Sequence, residues 1–209
     1  MSNNSPQTYF EIFSLPPHLV IDLAALEKSF YALSRKLHPD RFATKSPDEQ
    51  AAALATSSRL NDAYRTLKDP IARTEYLLKL EGVEMEEQSK SATEDARAAG
   101  TAKQQIVPAD LLEEVFDLNM QLEEMRAAKI SGDNDPQLRR ELLTAKSTFD
   151  AKMSATQSEL ETLWARWDAA HNTDDSPAKL AARDAMVELL NRRTYLRNLV
   201  RDVNEALNL

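Results

Sequence analysis

The sequence predicts an all-α chain in two parts: a helical hairpin with short flanking helices over residues 1–82, an acidic linker over 83–108, and an antiparallel three-helix bundle over 109–209. Three observations carry that prediction. The three glycines and nine prolines of the 209 residues punctuate long segments in which apolar residues recur at spacings of three and four, the period of a helix with one buried face. The stretch from Glu84 to Gln105 shifts to Glu, Ser, Lys, Ala and Thr with Met85 as its one strongly apolar residue, a linker composition. Beyond it, the breaks SGDND and HNTDDS are short enough to make successive helices antiparallel neighbours.

Each element follows from its own residues. Thr8 to Phe13 forms a short first turn or two, stopped by Pro16 and Pro17. Asp22 caps a second helix to about Leu37, with Leu23, Leu26, Phe30, Leu33 and Leu37 on one side. Pro39 ends it, because the residue before a proline is pushed out of the α region. Ser46, Pro47 and Glu49 form a capping box with proline at the first helical position, opening a third helix through Leu54, Leu60, Ala63, Tyr64 and Leu67. Pro70 opens a fourth, carrying Tyr76, Leu77 and Leu80 as far as Gly82. Three longer helices follow, about Ala109 to Ile130, Pro136 to Ala170 and Pro177 to Leu207. The last has a seam of Ala182, Ala185, Leu189, Leu196, Leu199, Val203 and Ala206, interrupted by Arg192, which counts against a long coiled coil; a monomer is expected.

Composition bounds the chemistry. The absence of cysteine excludes disulfides, thiolate metal sites and cysteine nucleophiles. Only His18, His38 and His171 supply imidazole; His18 and His171 fall in loops without partners at ligand spacing, so neither a metal site nor a cofactor is expected. A net charge of -8 disfavours nucleic acid as a partner. No stretch approaches the ~20 apolar residues of a membrane span, and Met1 to Thr8 lacks the pattern of a signal peptide, which makes the cytoplasm the expected location. The charge is uneven: residues 1–80 hold ten basic and nine acidic side chains, residues 81–209 sixteen and twenty-five.

The chemistry-bearing motif of the first part is His38-Pro39-Asp40, set in the turn between two amphipathic helices, with Lys28, Arg35 and Lys36 before it and Arg41 after it. Proline fixes a rigid turn that presents an imidazole and a carboxylate with little ordering entropy left to lose. The plainer alternatives are that His38 and Asp40 only cap helix ends and that the basic residues are only a solvated face. The ordered pattern YFEIF, FYALSRKLHPDRF and RLNDAYRTLKDPIARTEYLL resembles a J-domain, the module by which a co-chaperone stimulates an ATPase chaperone of the DnaK type. That resemblance implies that His38, Pro39 and Asp40 dock on the chaperone, with Lys28, Arg35, Lys36 and Arg41 steering. It also implies that the protein is a regulator of a partner's ATPase, and no GxxxxGK loop is present for one of its own.

At about 100° per residue, Leu111, Val115, Leu118, Leu122 and Met125 make one stripe, while Leu112, Phe116 and Met120 lie about 100° to 180° from it. Glu113, Asp117 and Glu124 stand beside this second strip at about 200° to 240°. Spacing leaves two readings open: a protein-binding surface, or burial under a long middle helix bearing Trp164 and Trp167.

A J-domain, an acidic linker and a C-terminal bundle together are similar to the HscB family, J-type co-chaperones of iron-sulfur cluster assembly. LLEEVFDLNMQLEE resembles that family's first bundle helix and DPIARTEYLLKLEG the end of its J-domain. The resemblance implies an L-shaped molecule whose bundle binds the scaffold protein IscU through Leu112, Glu113, Phe116, Asp117, Met120 and Glu124, with Tyr195 as an aromatic from the last helix, and hands it to a DnaK- or HscA-type chaperone. A different client, or a purely structural helical bundle, are the alternatives.

Overall fold

A computed structural model describes residues 7–83, 108–132 and 135–208; nearly all of the linker inferred over 83–108 lies outside the described residues. Among the described residues there are seven α-helices and no strand. They are α1 (Tyr9–Ile12), α2 (Leu23–Leu37), α3 (Pro47–Lys68), α4 (Pro70–Leu80), α5 (Leu112–Ser131), α6 (Pro136–Asn172) and α7 (Ser176–Leu207). Two 3-10 turns, Pro39–Phe42 and Ala109–Leu111, precede α3 and α5.

The termini are where the residues dictate. Asp22 accepts from the Ala24 and Ala25 amides at 2.9 and 3.0 Å. The Ser46 hydroxyl accepts from the Glu49 amide at 3.3 Å, and the Glu49 carboxylate takes the Ser46 amide at 3.0 Å in return. Thr8 and Glu11 make the same reciprocal box at α1. Asp69 closes α3 and opens α4, accepting from the Ala72 amide at 2.8 Å. Gly82 takes φ +80°, which lets its amide and that of Val83 reach back to the Lys79 and Leu78 carbonyls at 3.1 and 2.9 Å. Asp135 caps α6 at the Gln137 amide, 2.8 Å.

By its contacts the chain forms two compact units, one of residues up to 85 with 164–183, the other of 86–163 with 184–209. The sequence reading grouped residues 164–183 with the bundle; in the structure they pack with the N-terminal helices. The physical reason is a polar one. The loop before α2 leaves backbone amides at Leu19 and Val20 that no helix satisfies, and the buried Asp168 carboxylate takes both at 2.8 Å. Arg73, also buried, donates from Nε to the Leu19 carbonyl at 2.9 Å and from Nη1 to the Leu67 carbonyl. The Trp167 indole donates to the Pro17 carbonyl at 3.4 Å, and Lys179 lies 4.8 Å over its ring while pairing with Glu81 at 2.9 Å. Around this network Phe10, Phe13, Leu19, Leu26, Leu60, Leu67, Leu77 and Leu78 make the apolar core. His171 belongs to the last turn of α6 and not to a loop; its ring meets that of His18 edge-on at 5.6 Å.

The second unit buries Leu111, Val115, Leu118 and Leu122 of the α5 segment against Leu142 and Phe149 of α6 and Leu196, Leu199, Val203 and Leu207 of α7. The inferred α5 stripe is therefore the core. The α7 seam differs in its middle: Met186 and Leu190 are buried, while Ala185 and Leu189 are half-buried. The buried positions run Ala182, Met186 and Leu190, a spacing of four along one face of α7. Arg192 does not break the packing, because its guanidinium forks onto Asp110 at 3.0 and 2.7 Å at the unit's edge.

Candidate functional site

The first site is the turn after α2. His38 has extended backbone angles, φ -61° and ψ 130°, and Pro39 starts the 3-10 turn directly behind it. The His38 Nδ1 accepts the Asp40 amide at 3.3 Å, and an Asp40 carboxylate oxygen lies 3.4 Å away. Capping is thus real, yet it occupies one ring nitrogen only. Its Nε2 makes no hydrogen bond among the described residues. Both side chains are exposed, as are Lys28, Arg35, Lys36 and Arg41. Arg41 reaches the Arg35 carbonyl at 3.5 Å, and Gln50 fastens the following loop through the Ala43 and Lys45 carbonyls at 3.2 and 2.9 Å. Among the described residues, Lys28, Arg35 and Lys36 make no ion pair with a carboxylate. The turn is therefore a rigid imidazole and carboxylate on a surface of unneutralised cations.

The second site is the outer face of α5. Leu112, Phe116 and Met120 are 54%, 64% and 51% exposed, so the reading in which the middle helix buries them does not hold. Trp164 and Trp167 are spent in the core of the other unit. Glu113, Asp117 and Glu124 are exposed beside the strip. Tyr195 is not brought to this surface: it keeps 8% exposure and belongs to the core cluster under α5. Burial, with the Asp202 carboxylate adding to it, raises the Tyr195 phenol above its ordinary value, so it stays protonated.

Sequence reasoning missed the charged groups that hold these faces in place. Lys152 pairs with Glu114 at 2.7 Å and Arg192 with Asp110, binding α6 and α7 to the α5 segment. Nothing in the local spacing marks such pairs, which join residues tens of positions apart. Tyr31, 53% exposed in the middle of α2, was also passed over. Its signal was its position off the Leu26, Phe30, Leu33, Leu37 side. Among the described residues no group of three or more His, Asp or Glu could hold a metal ion, and no helix is long and apolar enough to cross a membrane.

Comparison with known proteins matches residues 8–76 to the DnaJ domain. The co-chaperone protein HscB homolog of Vibrio cholerae (Classical Ogawa 395) is 36% identical over 150 residues, spanning 71% of this chain and 72% of that one. The homolog from Bordetella petrii is 42% identical over 88 residues, covering 42% of this chain and 52% of its own. The solved structure of the chaperone HscB from Vibrio cholerae aligns over 97% of this chain and 98% of its own, with a TM-score of 0.60 and 25% identity. Human co-chaperone HscB shares the fold, with a TM-score of 0.60 at 22% identity over 98% of this chain and 84% of its own. The exposed histidine turn lies within the matched DnaJ domain, and similarity to HscB continues beyond it: the chain belongs to the HscB family of J-domain co-chaperones.

Proposed function

We propose that this co-chaperone carries an IscU-type iron-sulfur scaffold protein to its Hsp70-type chaperone, of the DnaK or HscA kind, as a cytoplasmic monomer. As a J-domain co-chaperone it regulates the ATPase of that partner and is not itself the ATPase. Residues 109–163 and 184–209 act as the client-binding part and residues 1–82 as the chaperone-binding part.

The steps divide among its residues. Lys28, Arg35, Lys36 and Arg41 steer the J-domain to an acidic chaperone surface. His38, Pro39 and Asp40 then dock as one preformed element and trigger ATP hydrolysis. Leu112, Phe116 and Met120 seat the client, with Glu113, Asp117 and Glu124 setting its orientation through charge, and Tyr195 supports that face from beneath. Holding client and trigger on one chain makes the client's capture effectively intramolecular, which raises its local concentration without any new contact.

The observation that carries the client reading is the exposed apolar strip on α5, because three large side chains in a row on a helix that already buries a full stripe elsewhere have no role in folding. Binding of a purified IscU-type scaffold, read by calorimetry, tests it. The double variant Leu112→Ala/Phe116→Ala is expected to weaken binding at least about tenfold, the loss of two central apolar anchors. Unchanged affinity would move the client surface elsewhere.

A further inference from the structure

We infer that Tyr31 is a short-range anchor for the Hsp70-type chaperone, an aromatic contact set among the steering cations of α2. This rests on the reading that α2 faces the chaperone. Counted at about 100° per residue from Lys28, Arg35 falls about 20° and Tyr31 about 60° to one side, whereas Leu26, Phe30, Leu33 and Leu37 gather on the opposite face. Tyr31 thus shares its face with Lys28 and Arg35, one turn from each.

The fold makes little use of the ring. Phe30, its neighbour, supplies the packing, stacking on Tyr64 with centroids 4.1 Å apart at 12°. Tyr64 in turn bonds Glu27 at 3.3 Å and receives Lys68 at 5.5 Å over its ring. Tyr31 only leans on Phe30, 5.5 Å away and tilted 56°, with half its surface in solvent. Local propensity gives no reason for it either, since tyrosine is a poorer helix former than the lysine, arginine or alanine around it.

The surroundings select the occupant. Among the described residues Lys28 and Arg35 have no carboxylate partner, so the surface that covers Tyr31 is acidic. Cations at the rim raise the rate of encounter but hold weakly in salt. A tyrosine, with few torsions to freeze and a large ring to bury, is the side chain that turns such an encounter into residence. The partner therefore presents an apolar notch rimmed by carboxylates, and Tyr31 fills it.

ATPase stimulation of a DnaK-type chaperone, titrated with the full chain, tests this. Tyr31→Ala is expected to raise the half-maximal concentration about tenfold while leaving maximal stimulation and melting temperature unchanged. The loss should persist in high salt, where the smaller effects of Lys28→Ala and Arg35→Ala fade, and Tyr31→Phe should keep the wild-type value. An unchanged half-maximal concentration in Tyr31→Ala overturns the anchor. So does a loss that tracks a fall in melting temperature, or an equal loss in Tyr31→Phe. His38→Gln serves as the separate control: stimulation retained there refutes docking through the turn, whatever Tyr31 does.

Discussion

His38 uses its two nitrogens differently: Nδ1 holds the turn through the Asp40 amide, and under the proposed function Nε2 meets the chaperone. Asp168 does the opposite, spending both carboxylate oxygens inside the protein on the Leu19 and Val20 amides. Asp168→Asn leaves one of those amides facing an NH2 group. It is expected to lower stability by about 1–3 kcal/mol, the cost of one unsatisfied buried donor, as read by urea denaturation. His38 stood out in the sequence because its tripeptide sits between two capped helices. Asp168 did not, because a lone aspartate on a long helix looks solvated until the loop that needs it is placed beside it.

At the scale of elements, most boundaries were legible because their signals are local: Asp22, Ser46 with Glu49, Pro39, Pro70 and Gly82 each act within four residues. Ser46→Ala should cost about 1 kcal/mol of thermal stability through the lost cap. The capping carboxylates also set a pH dependence. Hydrogen bonds from Ser46 and from Thr8 hold Glu49 and Glu11 below their ordinary 4.5, and the Arg192 fork holds Asp110 below 3.8. Groups with depressed values stabilise the fold above those ordinary values, and that stabilisation is lost as pH falls through the lower folded ones. Replacing Glu49 by Gln should therefore flatten the fall of the urea midpoint below about pH 4.5 relative to wild type.

The α5 helix separates stability from binding along one element. Leu118→Ala, in the core stripe, should cost about 2–5 kcal/mol, whereas Phe116→Ala on the exposed strip should leave melting unchanged. Both stripes were legible from spacing; which one faced solvent was not, because that depended on where Trp164 and Trp167 packed. The middle of the α7 seam was misread for a related reason. Spacings of three and of four both keep residues on one helix face, and the face that is buried here steps by four through Ala182, Met186 and Leu190.

For the whole molecule, the uneven charge acquires a meaning. Ten basic and nine acidic residues in the first eighty give a near-neutral J-domain with its cations concentrated at α2 and the turn, while the rest of the chain is acidic. The lack of cysteine, under the proposed function, means the protein cannot ligate a cluster by thiolate and works by carrying the protein that does. The most direct test is single-turnover ATP hydrolysis by a DnaK-type chaperone in the presence of an IscU-type scaffold, with wild type compared against His38→Gln of equal melting temperature. Stimulation by the wild type, and its loss in His38→Gln with scaffold binding intact, is the predicted result; a His38→Gln protein that still stimulates hydrolysis would contradict it.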